Sequence, residues 1–195
     1  MLKKFVRTMA YIGGIVTGFY LFASAPGIHK KKKWQHLTGW DYAHRGLYDN
    51  EHGIPENSMA AFRRAVDKGY GIELDVHLTA DNQLVVFHDD TLTRMCGMNK
   101  KISSFLYSDL MQLRLLGTEE GIPLFKDVLE LIDGKVPLII ELKVDGSNQN
   151  LLCPLVWQLL SRYKGDYCIE SFHPFVLQWF KRHEPQVVRG QLSCN

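Results

Sequence analysis

Only four cysteines occur in 195 residues, Cys96, Cys153, Cys168 and Cys194, and no two form a Cys-x-x-Cys pair. In a chain of this length such scatter argues against a disulfide framework and against a zinc site, and leaves the thiols free. Net charge is scant as well. An excess of +2 is too weak to draw the chain to nucleic acid. There is no internal repeat and no low-complexity tract, so neither a solenoid nor a long disordered linker is indicated. What remains is ordinary globular composition, 46% hydrophobic and 23% charged, with room for one core.

The basic residues are unevenly spread. Lys3, Lys4 and Arg7 cluster at the start, Lys30 to Lys33 form a block, and beyond it acidic groups outnumber basic ones. Between the clusters lies MAYIGGIVTGFYLFASAPGI, residues 9–28, without a charge. A helix of that length spans about 30 Å, the hydrocarbon thickness of a bilayer. Gly13, Gly14 and Gly18 weaken a helix in water but are tolerated in a membrane. The expectation is a single-pass N-terminal anchor over residues 1–33, with membrane lipid as its partner. The rival is a signal peptide cut after Ala23-Ser24-Ala25, although Pro26 would follow that cut directly. Both flanks are basic, so the positive-inside rule leaves the side of the membrane open. The lysine block suits anionic headgroups, or serves only as a stop-transfer flank.

From residue 34 to 195, apolar runs alternate with helix-like segments. Strands are expected at 39–46, 71–79, 83–89, 136–144, 167–173 and 186–192. Helices are expected at 56–69, near 108–116, and at 123–134, 150–165 and 174–185, with residues 90–122 otherwise irregular. Asn57 or Ser58 can cap the first helix and Gly69 can stop it. Pro154 fits only the first turn of its helix. Alternating strands and helices with near-continuous apolar strands predict an α/β fold with a parallel sheet covered by helices.

The polar residues fall at strand ends: His44 and Arg45, then Glu73 and Asp75, then His88 and Asp89, then Glu141 and Lys143. Residues i and i+2 of a strand point the same way, so Glu73 and Asp75 share a face, as do Glu141 and Lys143. In a closed parallel barrel such faces converge at the C-terminal mouth, where the chemistry sits. Three carboxylates gathered there repel one another, and a hard divalent cation, Mg²⁺ or Ca²⁺, relieves the conflict. Arg45 and Lys143 suit an anionic substrate such as a phosphate ester. His44 and His88 suit proton transfer near neutral pH. Cation, anion clamp and two imidazoles together describe phosphoester cleavage.

The ordered blocks HRG, PENS, IELDVHLTADNQLVVFHDDTLTR and IIELK resemble the glycerophosphodiester phosphodiesterase family over about residues 40–192. The resemblance implies a TIM-type (β/α)8 barrel that hydrolyses glycerophosphodiesters to glycerol 3-phosphate and an alcohol. It implies His44 and His88 as catalytic histidines, the second as acid for the leaving alcohol. It further implies Arg45 and Lys143 at the phosphate, and Glu73, Asp75 and Glu141 as ligands of one divalent cation. The resemblance also implies a substrate hydroxyl as the nucleophile, giving a cyclic phosphate that water then opens, and residues 90–122 match the family's small insertion.

Against eight barrel strands the sequence offers six, so the chain is expected to lack the last two βα units and to be a truncated product or an incomplete record. Two alternatives stand beside the hydrolase: a related barrel phospholipase acting on intact or lyso-phospholipids, and a non-catalytic membrane-tethered binding module or inactive fragment. Among the remaining polar residues, Glu56 is expected to serve the helix start, and Asn57 to cap or brace a loop. His77 is expected at the rim, and Asp89 and Asp90 as loop braces. Ser171 and His173 are expected, at most, to line the pocket.

Overall fold

The computed structural model describes residues 11, 13, 14, 18 and 34–193. The chain divides into two units, Met1–Lys30 and Lys31–Asn195, and the second carries the fold described below. The anchor expected over residues 9–28 lies outside the described residues apart from four isolated positions. Among the described residues no helix is long and apolar enough to cross a membrane.

Five strands run parallel: β1 (Tyr42–His44), β2 (Gly71–Leu78), β4 (Leu138–Leu142), β5 (Tyr167–Ser171) and β6 (Val188–Gln191), in the spatial order β1-β2-β4-β5-β6. Helices α1 (Met59–Lys68), α4 (Phe125–Ile132), α5 (Gln149–Leu160) and α6 (Pro174–His183) connect them. This is the alternation the sequence predicts. Ile72, Leu74 and Val76 of β2 and Leu138, Ile140 and Leu142 of β4 join Phe62, Phe125, Val156 and Phe180 of the helices in one buried core. The alternate residues of β2 and β4 face the other way and carry the carboxylates.

The sixth strand departs from expectation. β3 (Leu84–Val86) pairs antiparallel with β2, Val76 opposite Val86 and Leu78 opposite Leu84. The parallel path therefore holds five strands among the described residues, not six. The reason is geometric. A short turn, here through Asp81 and Asn82 (φ 61°), can join only antiparallel strands, because a parallel neighbour needs a crossover of a dozen residues or more. The far end of the long β2 carries this hairpin, and the hairpin carries residues 90–122. That segment has its own small core of Val85, Phe87, Leu92, Met95, Ile102, Leu110, Leu115 and Ile122. Its regular pieces are short: α2 (Thr93–Cys96), α3 (Tyr107–Leu110) and single 3₁₀ turns.

Helix ends follow local chemistry. Ser58 caps α1, its Oγ accepting from Ala61 N at 3.2 Å. Gly69 ends it in the left-handed conformation at φ 73°. Pro154 lies inside α5 rather than in its first turn. It is tolerated because Pro154 and Asn150, four residues earlier, are both exposed, so water can serve the carbonyl that the missing N–H leaves unpaired.

Candidate active site at the strand ends

His44 closes β1, and the chain then turns sharply. Arg45 (φ 58°) and Gly46 (φ 80°) both adopt left-handed backbone. For Arg45 this conformation costs about 1–2 kcal/mol. Two hydrogen bonds offset it: Arg45 N donates to Glu73 Oε2 at 3.0 Å, and Asn57 N donates to Arg45 O at 2.9 Å. At Gly46 a side chain has no room, since a Cβ would lie 2.9 Å from Ala61 Cβ and 3.1 Å from the Ala61 carbonyl carbon. The His-Arg-Gly triplet thus docks the strand end on α1 and turns an amide N–H to the carboxylate of the neighbouring strand.

Glu73 and Asp75 project from the same face of β2, and Asp75 is in register with Glu141 of β4. One oxygen from each of Glu73, Asp75 and Glu141 lies within 4.8 Å of the others. Burial, followed by the charge of Asp75, pushes Glu73 up to about 8. Burial also raises Glu141, against the pull of Lys143. Lys143 Nζ sits 3.0 Å from Asp75 Oδ1 and 2.9 Å from Glu141 Oε2. Asn57 Nδ2 donates to Asp75 Oδ2 at 2.8 Å, while Asn57 Oδ1 is buried without a hydrogen-bond partner. All of these acceptors are hard oxygens from deprotonatable or amide groups, and two of them, Asn57 Oδ1 and Asp75 Oδ1, are buried without a hydrogen-bond partner, the second facing only the Lys143 ion pair. Such a set fits a Mg²⁺- or Ca²⁺-type ion, whose charge would offset the crowding that raises Glu73.

The cationic and imidazole groups surround this cluster. Arg45 Nη1 donates to Glu56 Oε1 at 2.9 Å. Arg45 Nε is buried with no hydrogen-bond partner; Asp75 Oδ2, at 4.0 Å, is beyond reach. A phosphate oxygen is the kind of acceptor that would complete it. His44 is 65% exposed, with Nε2 3.8 Å from Glu73 Oε2. Partial burial and the Arg45 charge lower its pKa. His88 Nδ1 lies 2.7 Å from Asp89 Oδ1. A carboxylate there accepts the Nδ1 proton and fixes the ring, leaving Nε2 for proton transfer.

The structure thus brings His44, Arg45, Glu73, Asp75, Glu141 and Lys143 to one end of the sheet, with His88 at the start of the hairpin's exit. Several neighbours stand elsewhere than expected. Glu56 does not serve the helix start. It is 4% exposed and holds two guanidinium groups, those of Arg45 and Arg94. Those hydrogen bonds outweigh the upward push of its burial and bring its pKa to about 2. His77 is not at the rim. It is 2% exposed, and its Nε2 contacts the His88 carbonyl at 3.3 Å. Ser171 Oγ donates to Leu142 O at 2.7 Å, and a cleft lined by Asp90, Lys143, Ser171, Phe172 and His173 opens beside Glu141.

Arg94 is the group that sequence reading misses. Its Nη1 and Nη2 donate to Glu56 at 2.8 and 2.7 Å, and its Nε and Nη2 donate to Asp89 at 2.8 and 3.0 Å. Burial pushes Asp89 up, but the hydrogen bonds from Arg94 and His88 prevail and hold it at about 2. The available signal was a charged residue closing the block HDDTLTR, five positions after Asp89, in a segment otherwise read as irregular.

The profile of the Glycerophosphoryl diester phosphodiesterase family matches residues 44–194. Lysophospholipase D GDPD1 of Rattus norvegicus is 34% identical over 173 residues, 82% of this chain and 52% of that protein. A glycerophosphodiester phosphodiesterase of Caldanaerobacter subterraneus is 34% identical over 166 residues, 77% of this chain and 65% of that one. The chain therefore spans about half to two thirds of the length of these relatives. Among solved structures, a phosphodiesterase of Oleispira antarctica in complex with the product sn-glycerol-3-phosphate superposes with a TM-score of 0.73 at 26% identity, over 82% of this chain and 67% of that one. The fold is accordingly a barrel-like α/β fold with a parallel sheet. By its profile match, its relatives and the carboxylates gathered at its strand ends, the chain belongs to the glycerophosphoryl diester phosphodiesterase family.

Proposed function

We propose that this protein hydrolyses glycerophosphodiesters, releasing sn-glycerol 3-phosphate and an alcohol. The observation that carries the proposal is the meeting of Glu73, Asp75 and Glu141 within 4.8 Å, beside a buried Arg45 Nε that lacks an acceptor. Glu73, Asp75 and Glu141 would hold one divalent cation, Mg²⁺ or Ca²⁺, which supplies charge stabilisation at the phosphoryl oxygens. Arg45 and Lys143 bind and orient the phosphate. His44, exposed and with a lowered pKa, accepts the proton of the attacking hydroxyl. His88, held by Asp89, donates a proton to the departing alcohol oxygen. Attack by the substrate's own hydroxyl forms a new P–O bond and a cyclic phosphate as the P–O bond to the alcohol breaks; water then opens the ring, so that net addition of one water gives the phosphomonoester and the free alcohol.

A second reading shares this site and differs in substrate. The 34% identity to a protein named lysophospholipase D supports lyso-phospholipids as substrates, with the head-group alcohol as the leaving group. The uncharged residues 9–28 between basic clusters support a single-pass anchor that would hold the domain at a lipid surface. Resistance of the full chain to extraction from membranes by alkaline carbonate supports the anchor, and release by carbonate removes it.

The test of activity is direct. The full chain is incubated with glycerophosphocholine or lysophosphatidylcholine, with and without EDTA, and both glycerol 3-phosphate and choline are measured. Glycerol 3-phosphate from the first substrate, abolished by EDTA, is the expected result. Choline from lysophosphatidylcholine alone favours the second reading. Release that survives EDTA refutes the role given to the cation.

A further inference from the structure

Arg94 touches neither the carboxylate cluster nor either catalytic histidine, yet it occupies the middle of a continuous path between them. One end of its guanidinium grips Glu56, which in turn accepts from Arg45 Nη1 at 2.9 Å. The other end grips Asp89, which accepts from His88 Nδ1 at 2.7 Å. Both contacts are bidentate, the arrangement a planar guanidinium makes and an ammonium cannot. Glu56 lies in the loop after β1 and Asp89 in the segment after β3, so this side chain ties together two parts of the site that lie far apart in sequence.

We infer that Arg94 is a positioning residue that locks the phosphate-binding arginine and the proton-donating histidine into one geometry. The inference rests on the roles proposed above for Arg45 and His88. Its physical content is mutual restraint. Glu56 alone could swing with Arg45, and Asp89 alone with His88. With Arg94 saturating both carboxylates, neither partner moves without breaking two charged hydrogen bonds. Such networks are strongly non-additive. Because Arg94 sits on α2, the small core of residues 90–122 that seats α2 becomes part of what aligns the catalytic groups.

The experiment reads His88 itself, without relying on turnover. Nitrogen-15 spectra of the histidine rings are recorded on the full chain for the native protein, Arg94→Lys and Glu56→Gln, each checked for folding by its thermal midpoint. Glu56 has no contact with His88 or Asp89 among the described hydrogen bonds, and its side-chain hydrogen-bonded route to that ring runs through Arg94 and Asp89. The expected result is a shifted or broadened His88 Nδ1 signal in both variants. A His88 spectrum unchanged in both overturns the inference. In activity, Glu56→Gln and Asp89→Asn should combine non-additively, by about threefold or more in kcat/KM, and strictly additive effects also overturn it. Should the native chain turn over no phosphodiester, the proposed function fails, and the ring spectra still decide the role of Arg94.

Discussion

Asn57 donates its side-chain amide to Asp75 at 2.8 Å, from a backbone held at φ 55°. This bond fixes the most buried of the three carboxylates, and it comes from a loop residue rather than from the sheet. Groups that orient a metal-binding carboxylate typically account for about 10–100-fold in metal affinity. Asn57→Gly keeps the left-handed backbone accessible and removes the amide. It should weaken Mg²⁺ or Ca²⁺ binding by about that factor while leaving the fold intact, as calorimetric titration together with circular dichroism would report.

Gly46 is a position with no tolerance. Its φ of 80° and the 2.9 Å approach to Ala61 Cβ mean that Gly46→Ala must push α1 away from the turn that presents Arg45. Overpacking of this kind costs about 1–3 kcal/mol. The expected outcome is a thermal midpoint lowered by several degrees and a larger fractional loss of activity, because the displaced turn carries the amide that holds Glu73.

Acid sensitivity should trace to Glu56 and Asp89. Arginine hydrogen bonds hold both carboxyls at about 2 in the folded chain, so the folded state binds their protons more weakly than the unfolded state. Their contribution to stability is complete above about pH 4, the ordinary carboxyl range, and is lost as pH falls toward 2. Urea midpoints measured from pH 6 to pH 2 should drop steeply in that window. In Glu56→Gln/Asp89→Asn the midpoint should start lower and the drop should be shallower.

His88 as proton donor makes a prediction about leaving groups. Loss of a general acid typically costs about 10²–10⁴-fold. His88→Asn should show such a loss with glycerophosphocholine, and a much smaller loss with a p-nitrophenyl diester, whose leaving group needs no proton. His44→Asn should impair both substrates alike. Equal losses on both substrates for His88→Asn would remove it from the acid role.

The carboxylate cluster was legible in the sequence because its logic is local. Glu73 and Asp75 are two apart on one strand, so the strand period puts them on one face, and a parallel barrel brings the end of the Glu141 strand to the same mouth. The order of strands and helices was legible for the same reason. The orientation of β3 does not show in its apolar run; it is set by the turn at Asp81-Asn82, which is too short for a crossover and so makes the pair antiparallel. The roles of Glu56 and Arg94 were not legible, since the partners are 38 residues apart and only the packing of α2 on the hairpin brings them together. For Glu56 the sequence suggests service at the helix start, but its carboxylate is taken up by two guanidinium groups instead.

Calorimetric titration of the metal-stripped full chain with Mg²⁺ and with Ca²⁺ tests the central claim most directly. One ion bound per chain, with binding abolished in Glu73→Gln and in Glu141→Gln while both variants stay folded, is the predicted result. Binding that persists unchanged in these variants, or no binding by the native chain, would contradict it.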